Sequence, residues 1–141
     1  MVKIKIDYEG QLRCSAKHGP SGNSLETDAP VDNNGKGETF SPTDLVATAL
    51  GTCMATVIGI VSERKELDLT GLEVEVEKHM STDMPRRIVK LPVSINMPLH
   101  KDIKERQLIE NAALTCPVHQ SLRADIEIPI TWIWQEEEPQ K

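Results

Sequence analysis

The stretch FSPTDLVATALGTCMATVIGIVSERK, residues 40–65, decides the fold because 18 uncharged residues follow one another in it, from Leu45 to Ser62. Its first residues carry the signals of a helix start. Ser41 is a favourable N-cap, Pro42 suits the first helical position, and Asp44 completes a capping box with Ser41. We therefore predict a helix that begins at Ser41 and runs to about the end of this stretch.

The same stretch raises the question of a membrane anchor, since a spanning helix needs about 20 predominantly apolar residues. Thr48, Thr52 and Thr56 dilute its apolar character, however, and its ends carry no basic flank or aromatic belt. A helix that is apolar all round is otherwise a buried one. Small residues such as Gly51 would let another helix approach closely. We therefore expect no membrane contact and predict a homodimer with this helix in or near its centre.

Length and charge narrow the class of protein. A chain of 141 residues is expected to form a single domain over residues 1–141, and it can bury a core without disulfide bonds. The formal net charge is −6. An acidic chain repels nucleic acid unless it carries a basic patch, and Arg86-Arg87 is only a short basic pair. We therefore expect no nucleic-acid partner.

The cellular compartment is inferred from the N-terminus and the cysteines. Met1–Tyr8 alternates apolar and charged residues, unlike a signal peptide, which has a charged start and an apolar block. Three cysteines, Cys14, Cys53 and Cys116, are an odd number at wide spacing. This pattern does not resemble a secreted disulfide framework, so we expect a reducing cytoplasm. In that compartment a cysteine pair is more often catalytic or metal-binding than structural.

Alternation of apolar and polar residues predicts the strands. They cover residues 2–8, 11–17, 24–28, 72–78, 88–98 and 124–134, of which the third is the least marked. Residues 9–11 are a plausible turn after the first strand, and Pro92 suggests an edge strand or a bulge. With the two helices, the order is β-β-(β)-α-β-β-α-β, which indicates an α+β fold and not a doubly wound sheet.

The second predicted helix covers residues 102–116. Asp102 and Glu105 form a capping pair at its start, and one apolar stripe follows the helix as far as Cys116. The charged residues 136–141 predict a loose tail.

Cys53 and Cys116 are the candidate reactive residues, although a cysteine often only fills space in a core. Both lie on apolar helices, so we expect their thiols in the same interior, where they could meet. Cys116 also precedes Pro117, which can open another helical turn with Cys116 as its cap. A thiol at a helix N-terminus has a lowered pKa.

Cys53 lies about three turns inside its helix, where the helix dipole gives little help to a thiolate. A reactive Cys53 would therefore need a cation close to its sulfur. Arg13, near the end of the first hairpin, is the best-placed candidate, and Arg86 and Arg87 are its rivals.

Metal binding is the main alternative for these thiols. The spacing of Cys116 and His119 is compatible with zinc, but the usual second pair of ligands is missing. His18, His79 and His100 have no metal-ligand spacing. A Cys-His nucleophile of the protease type is weaker still, because no oxyanion-hole motif accompanies it. We therefore expect no metal and no other cofactor.

The segments FSPTDLVATALGTCM (residues 40–54), CPVHQSL (116–122) and MPRRI (84–88) resemble the OsmC/Ohr family of thiol-dependent hydroperoxide reductases. The order of strands and helices agrees over residues 1–134. The resemblance implies an OsmC-like fold in an intertwined homodimer, with antiparallel sheets wrapped around long central helices and the active site at the interface. It also implies an antioxidant role in a stress response.

The family chemistry, carried onto this chain, makes Cys53 the peroxidatic thiolate and Cys116 the resolving thiol. Cys53 would attack the O–O bond of a small hydroperoxide and become a sulfenic acid. Cys116 would then close a disulfide that a dithiol reductant reopens. Cys14 lies outside this pair and is interpreted as structural, and His119 as a residue that caps a turn.

One position departs from the family pattern. The resemblance implies an arginine, matched by Arg13, and a glutamate ten residues before the reactive cysteine that orients it. Thr43 stands at that position, because Asp44 beside it is explained by the capping box. The alternative function is therefore an OsmC-like redox sensor or a binding protein for a small apolar ligand, with weak or no peroxidase activity.

Overall fold

A computed structural model describes residues 1–137. The strands are β1 (Ile4–Gly10), β2 (Arg13–His18), β3 (Ser24–Asp28), β4 (Glu73–Val76), β5 (His79–Met80), β6 (Ile88–Lys90), β7 (Val93–His100) and β8 (Ile130–Gln135). The helices are α1 (Pro42–Arg64), α2 (Arg106–Leu114) and α3 (Pro117–Ser121), and a 3₁₀ turn covers Val31–Asn33. This arrangement confirms the predicted α+β class. The predicted tail, residues 136–141, falls largely outside the described residues.

The chain forms two compact units, one that ends at Val46 and one that begins at Ala47. The first unit holds a single antiparallel sheet in the order β1-β2-β3. Its alternating apolar residues on β1 are largely exposed, with 58% for Ile4, 61% for Ile6 and 67% for Tyr8. Every buried core side chain among residues 1–137 belongs to the second unit.

The β1–β2 hairpin turns one residue later than predicted. Gly10 pairs with Arg13, so Gln11 and Leu12 form a two-residue turn, with φ of 54° and 64°. The predicted turn over residues 9–11 was therefore misplaced. A two-residue turn with positive φ at both positions matches the right-handed twist of the flanking strands.

The predicted start of α1 is confirmed. The backbone N–H of Asp44 donates to the Ser41 hydroxyl at 3.0 Å, and the Ser41 N–H donates to an Asp44 carboxylate oxygen at 2.9 Å. These two reciprocal bonds are the capping box, with Pro42 at the first helical position.

The main sheet of the second unit has the order β4-β7-β8. β4 and β7 are antiparallel, whereas β7 and β8 are parallel, so the expectation of purely antiparallel sheets is wrong for this pair. The chain between β7 and β8 passes through α2 and α3, and a crossover of this kind returns the strand in the same direction. Pro92 lies between β6 and β7, and its carbonyl accepts the Glu77 N–H at 2.9 Å.

The second helix begins later than predicted. α2 starts at Arg106, and the Glu105 side chain makes no capping hydrogen bond in the described chain. The Asp102 N–H instead donates to the His100 ring at 3.2 Å, and the Ile103 N–H to the His100 carbonyl at 3.2 Å. Such local bonds compete with helix formation. The Asp102–Glu105 capping pair was therefore a wrong prediction.

The last strand is shorter than predicted, since β8 begins at Ile130. Pro129 has no N–H for a sheet ladder, so it confines regular pairing to the residues after it. Before it, Glu127 makes one isolated parallel bridge to Lys90.

The core of the second unit lies between α1, the main sheet and α2. Its fully buried members are Leu50, Met54, Ile58, Leu91, Val93, Ile95, Met97, Ile109, Ala113 and Cys116. Gly51 lets α1 approach the sheet, because a Cβ there would lie 2.9 Å from a Val76 methyl group. The small residue thus meets β4 and not the second helix that the sequence suggested.

α1 is the one helix among the described residues with the length and apolar content of a membrane span, and a third of its most apolar window is buried. The core helix of a soluble protein, which is mostly buried, meets the same criteria of length and apolar content. Its buried positions recur every three or four residues, at Leu50, Met54 and Ile58. Thr48 and Thr52 lie on its exposed side, where the Thr52 hydroxyl donates to the Thr48 carbonyl at 2.8 Å.

Candidate thiol site

Cys53 lies in the middle of α1, at the border between its buried and exposed faces. Met54 beside it is fully buried and Thr52 is exposed, whereas Cys53 is half-buried and packs against the core. It follows Pro42 by 11 residues, which places it about 16 Å along the helix axis. The dipole of the helix acts mainly within the first turn, so it stabilises a Cys53 thiolate little.

Cys116 lies between α2 and α3 and is fully buried. It caps α3 as predicted: its sulfur accepts the His119 N–H at 3.4 Å, and Pro117 opens the helix. The residues CPVH therefore form a helix cap, in which the backbone of His119 and not its imidazole contacts the sulfur.

The fold brings the two thiols together. Cys53 and Cys116 are 63 residues apart in the sequence, yet Cys53 packs against the buried cluster that contains Cys116, and the Cys53 thiol is close enough to affect the pKa of Cys116. Cys53 is a half-buried residue on α1, whereas Cys116 is a fully buried residue at the α2–α3 junction.

The environment of Cys116 raises its pKa. Burial is the largest cause, and the nearby Cys53 thiol adds to it; together they outweigh the amide N–H groups of His119 and Val118, which lower the pKa. The first N–H groups of α3 thus lower the pKa of Cys116 as expected, but the net shift is upward, so the predicted lowered pKa is wrong. α3 has only five residues, and these N–H groups do not offset the loss of hydration.

Arg13 begins β2 in the first unit, and its guanidinium forms an ion pair with Glu38 at 3.2 Å. Glu38 was missed in the sequence, because it lies in a polar loop with no periodic pattern. Thr43, at the position of the expected glutamate, has its hydroxyl 3.2 Å from the Ser41 hydroxyl. Arg87 donates to Asp83 at 3.3 Å and to a carbonyl of its own loop at 2.9 Å.

The roles assigned to Cys14 and His119 remain predictions. Cys14 is half-buried on β2 and pairs with Tyr8 on one side and Thr27 on the other. The Nδ1 atom of His119 is buried and has no hydrogen-bond partner in the part of the chain that the structure describes.

Within residues 1–137, no three His, Cys, Asp or Glu side chains come together in a way that could hold a metal ion. The other histidines have local partners. His18 bonds to Ser21 at 2.6 Å, and His79 pairs with Glu77 at 3.0 Å.

A separate open groove of about 510 Å³ lies on the main sheet of the second unit. Its lining exposes polar and apolar surface in about equal shares and consists of Glu73, Val74, Glu75, Ser94, Asn96 and Ile133. Ligand sites for small apolar molecules are usually concave and apolar, so this groove is a poor match for such a ligand. It also contains neither thiol.

The comparisons with known proteins agree on one family. The model of the OsmC-like protein family matches residues 35–131, a range that contains both thiols of the pair. No curated protein matches the sequence.

Solved structures extend the likeness over nearly the whole chain. A Psychrobacter arcticus protein, named provisionally as an osmotic stress induced and detoxification response protein, is 46% identical, with a TM-score of 0.87 over 94% of this chain and 96% of that one. The Legionella pneumophila organic hydroperoxide resistance protein OsmC is 14% identical, with a TM-score of 0.76 over 94% and 96%. OhrB of Bacillus subtilis, an organic hydroperoxide resistance protein, is 17% identical, with a TM-score of 0.67 over 94% and 97%. At these last two identities the likeness concerns the fold alone.

Proposed function

The chain belongs to the OsmC-like protein family, and from that premise we propose that it is a thiol-dependent peroxidase that reduces organic hydroperoxides. The observation that carries the proposal is the closeness of the half-buried Cys53 to the fully buried Cys116, which belong to one packed cluster. Two neighbouring cysteines with different access to solvent are what a peroxidatic and a resolving thiol require.

The first step is a displacement at oxygen. The Cys53 thiolate attacks the terminal oxygen of the hydroperoxide, the O–O bond breaks, and the alkoxide leaves and takes up a proton to become an alcohol. Cys53 is oxidised to a sulfenic acid and the hydroperoxide is reduced.

The second step closes the disulfide. The Cys116 sulfur attacks the Cys53 sulfur, the sulfenic oxygen leaves as water with the proton of the Cys116 thiol, and a Cys53–Cys116 disulfide forms. A dithiol reductant then reopens it by thiol–disulfide exchange and is itself oxidised to a disulfide. The raised pKa of Cys116 supports this order, because a protonated thiol does not compete for the hydroperoxide.

Arg13 is the residue that we assign to the Cys53 thiolate. Cys53 is too deep in α1 for the helix dipole, so a cation must supply the stabilisation. A guanidinium is always charged and carries five N–H donors. The resemblance to the family favours Arg13 for this role, and Arg86 and Arg87 are its rivals; the Arg87 guanidinium bonds within its own loop.

We also propose that the protein works as a homodimer in the cytoplasm. The exposed apolar residues of β1, namely Ile4, Ile6 and Tyr8, support the dimer, since a second chain could cover them. Family members are soluble proteins, which is consistent with α1 as a core helix.

Stopped-flow measurement of the reduced protein with cumene hydroperoxide tests the peroxidase. We expect Cys53 to react far faster than free cysteine and one disulfide to form for each hydroperoxide consumed. The Cys116→Ser variant should consume one hydroperoxide and stop at a sulfenic acid. A rate constant no greater than that of free cysteine would overturn the proposal.

The alternative, a redox sensor or a ligand-binding protein, depends on Thr43 in place of a glutamate. The Arg13–Glu38 ion pair weakens that alternative, because the arginine has a carboxylate partner nonetheless. Native mass spectrometry distinguishes the two functions: a co-purified apolar ligand, together with slow oxidation of both cysteines, would favour the alternative.

A further inference from the structure

We propose that the His119 imidazole is the proton acceptor of the second step, and that it takes the proton of the Cys116 thiol at Nδ1 as that sulfur attacks Cys53. This inference rests on the proposed function, in which Cys116 is the resolving thiol. The juxtaposition that carries it lies within one residue. The Nδ1 atom of His119 is buried without a hydrogen-bond partner among residues 1–137, and the backbone N–H of the same residue contacts the Cys116 sulfur at 3.4 Å. All three residues belong to the second unit.

His119 occupies the position from which a side chain reaches back to a helix cap. Cys116 is the N-cap of α3 and Pro117 is its first residue, so His119 is the third. Side chains of a helix lean toward its N-terminus, and in a capping box the side chain of the third residue reaches the cap. Nδ1 is the ring nitrogen nearer to the backbone. The geometry of α3 therefore directs this nitrogen toward the helix start, where the Cys116 sulfur lies.

The hydrogen bonds around α3 leave the imidazole without a structural task. The N–H of Cys116, which a capping-box side chain would accept, donates instead to the Ala113 carbonyl at 3.4 Å. The side chains of Gln120 and Ser121 donate to backbone carbonyls at 2.9 Å and 2.7 Å. These two neighbours help to hold the turn, whereas the Nδ1 atom of His119 bonds to nothing in the described part of the chain.

The two ring nitrogens of His119 differ in their surroundings. The residue as a whole is half-buried, and within residues 1–137 only Nδ1 of the two is both buried and without a partner. A buried polar atom that lacks a partner is uncommon in a native protein and calls for an explanation. With the proton of the neutral ring assigned to Nε2, Nδ1 keeps a free lone pair inside the fold. A general base for a buried thiol requires such a free acceptor.

Cys116 needs a proton acceptor because its thiol ionises poorly. Burial and the neighbouring Cys53, which is the titratable group that acts on it, raise the pKa of Cys116. The thiolate is the nucleophile in disulfide formation, so attack is slow at neutral pH unless a base removes the proton. Histidine is the side chain whose ordinary pKa suits proton transfer near pH 7.

The step balances without a further reactant. The Cys116 proton passes to Nδ1 of His119, the S–S bond to Cys53 forms, and the S–O bond of the Cys53 sulfenic acid breaks. The leaving oxygen takes the proton from the imidazolium and departs as water. In the reduced protein Nδ1 is not bonded to the Cys116 sulfur, and catalytic hydrogen bonds often tighten only when the reaction begins.

The test uses the full chain with Cys14→Ser, so that Cys53 and Cys116 are the only thiols. DTNB first converts the more accessible Cys53 to a mixed disulfide with thionitrobenzoate. Cys116 then attacks the Cys53 sulfur, the mixed disulfide breaks, and a second thionitrobenzoate leaves as its thiolate. This closing phase is independent of the DTNB concentration, needs no hydroperoxide, and is followed by absorbance.

Replacement of His119 should slow the closing phase and leave the first phase unchanged. His119→Gln should slow closing at pH 7 by about 100-fold, the lower end of what a positioned acid–base group contributes. Glutamine suits the third position of a helix, so it preserves the cap, but it takes no proton. The difference from the parent should shrink at pH 9, because the Cys116 thiol then ionises without help. His119→Ala should behave like His119→Gln, and Cys53 should react within twofold of the parent rate in both.

His79→Gln is the matched control, because it removes an imidazole that pairs with Glu77 in the same unit. We expect it to leave the closing phase within twofold of the parent. Two results would overturn the role of His119: a His119→Gln closing rate within twofold of the parent at pH 7, or a loss by the same factor at pH 7 and pH 9, which a displaced thiol would give. Cumene hydroperoxide, applied to the same variants, keeps the two proposals separate. If the closing phase behaves as expected but Cys53 does not react with the hydroperoxide, the proposed function fails and the role of His119 in disulfide closure stands.

Discussion

Cys53 and Cys116, the two neighbouring cysteines of the candidate site, differ in burial and in local structure. Cys53 is part of a continuous helix, half-buried, at the border between the buried and exposed faces. Cys116 is fully buried at a junction between two helices, where its sulfur accepts a backbone N–H and its pKa is raised. Cys53 is partly accessible to solvent, but the dipole of α1 does little to stabilise its thiolate. Cys116 accepts a backbone N–H, but burial favours its protonated form.

This difference explains how one pair of cysteines can perform two steps in a fixed order. The accessible sulfur can be activated by a cation from elsewhere in the protein, and it meets the oxidant first. In the proposed reaction, Cys116 is shielded from the oxidant by burial, but it lies near Cys53 and attacks once the Cys53 sulfur carries a good leaving group. The two proposed roles therefore follow from the different access of the two cysteines to solvent and not from the local helix dipole.

The largest expected effect is on peroxidase activity when each cysteine of the pair is replaced by serine. Cys53→Ser should lower peroxidase activity by a factor on the order of 10³ or more, because no other group replaces the nucleophile. Cys116→Ser should keep a fast first turnover and then stop, with a sulfenic acid on Cys53 that dimedone labels. Stopped-flow kinetics and intact-protein mass spectrometry measure both effects. Equal first-turnover rates for the two variants would show that the roles are not distinct.

The next effect concerns the packing that holds each sulfur. Met54, next to Cys53, is fully buried, whereas Leu114, near Cys116, is 47% exposed. Met54→Ala should lower the free energy of unfolding by about 2–5 kcal/mol, through lost burial and a residual cavity. Leu114→Ala, the matched control, should change it by no more than about 0.5 kcal/mol. Urea unfolding measures the free energy of unfolding of both variants. If the two variants lose similar amounts, the residues around Cys53 on α1 are not packed more tightly than those near Cys116.

Which of these features the sequence predicts depends on how local their cause is. The cap of α1 at Ser41 and the cap of α3 at Cys116 were predicted, since each needs only residues within one turn. Glu38 was missed because its contact with Arg13 depends on the register of two strands and the path of a loop. The pKa of Cys116 was predicted in the wrong direction, because a helix start is visible in the sequence and burial by distant residues is not.

The limits of local signals also explain the errors in the fold. Asp102 and Glu105 have the spacing of a capping pair, but the His100 ring and carbonyl bind the N–H groups that would have opened the helix. The parallel pairing of β8 follows from the route of the chain through α2 and α3, which no pattern within residues 124–134 reveals.

A smaller effect tests the close approach of α1 to β4 at Gly51. Gly51→Ala places a Cβ 2.9 Å from a Val76 methyl group, so either the helix or the valine must move. We expect the free energy of unfolding to fall by about 1–3 kcal/mol, because the steric cost of the added methyl group exceeds the gain in helix propensity from glycine to alanine. Gly59→Ala is the matched control on the same helix, because a Cβ there meets no atom within 4 Å in the described chain. If Gly59→Ala destabilises the protein as much as Gly51→Ala, the contact with β4 is not the cause.

The smallest effect is the dependence of stability on pH that the buried thiol creates. The pKa of Cys116 is higher in the folded protein than in the unfolded chain, so folding favours the protonated thiol. Its contribution is therefore complete below the pKa of an unfolded cysteine, about 8.5, and is lost as the pH rises through the folded pKa. With a reductant present, the unfolding free energy of the parent should fall above about pH 8.5 relative to that of Cys116→Ser. If the difference in unfolding free energy between the two proteins is constant from pH 7 to 10, Cys116 ionises as easily in the folded protein as in the unfolded chain. The hypothesis that Cys116 is a neutral, buried neighbour of Cys53 would then be wrong.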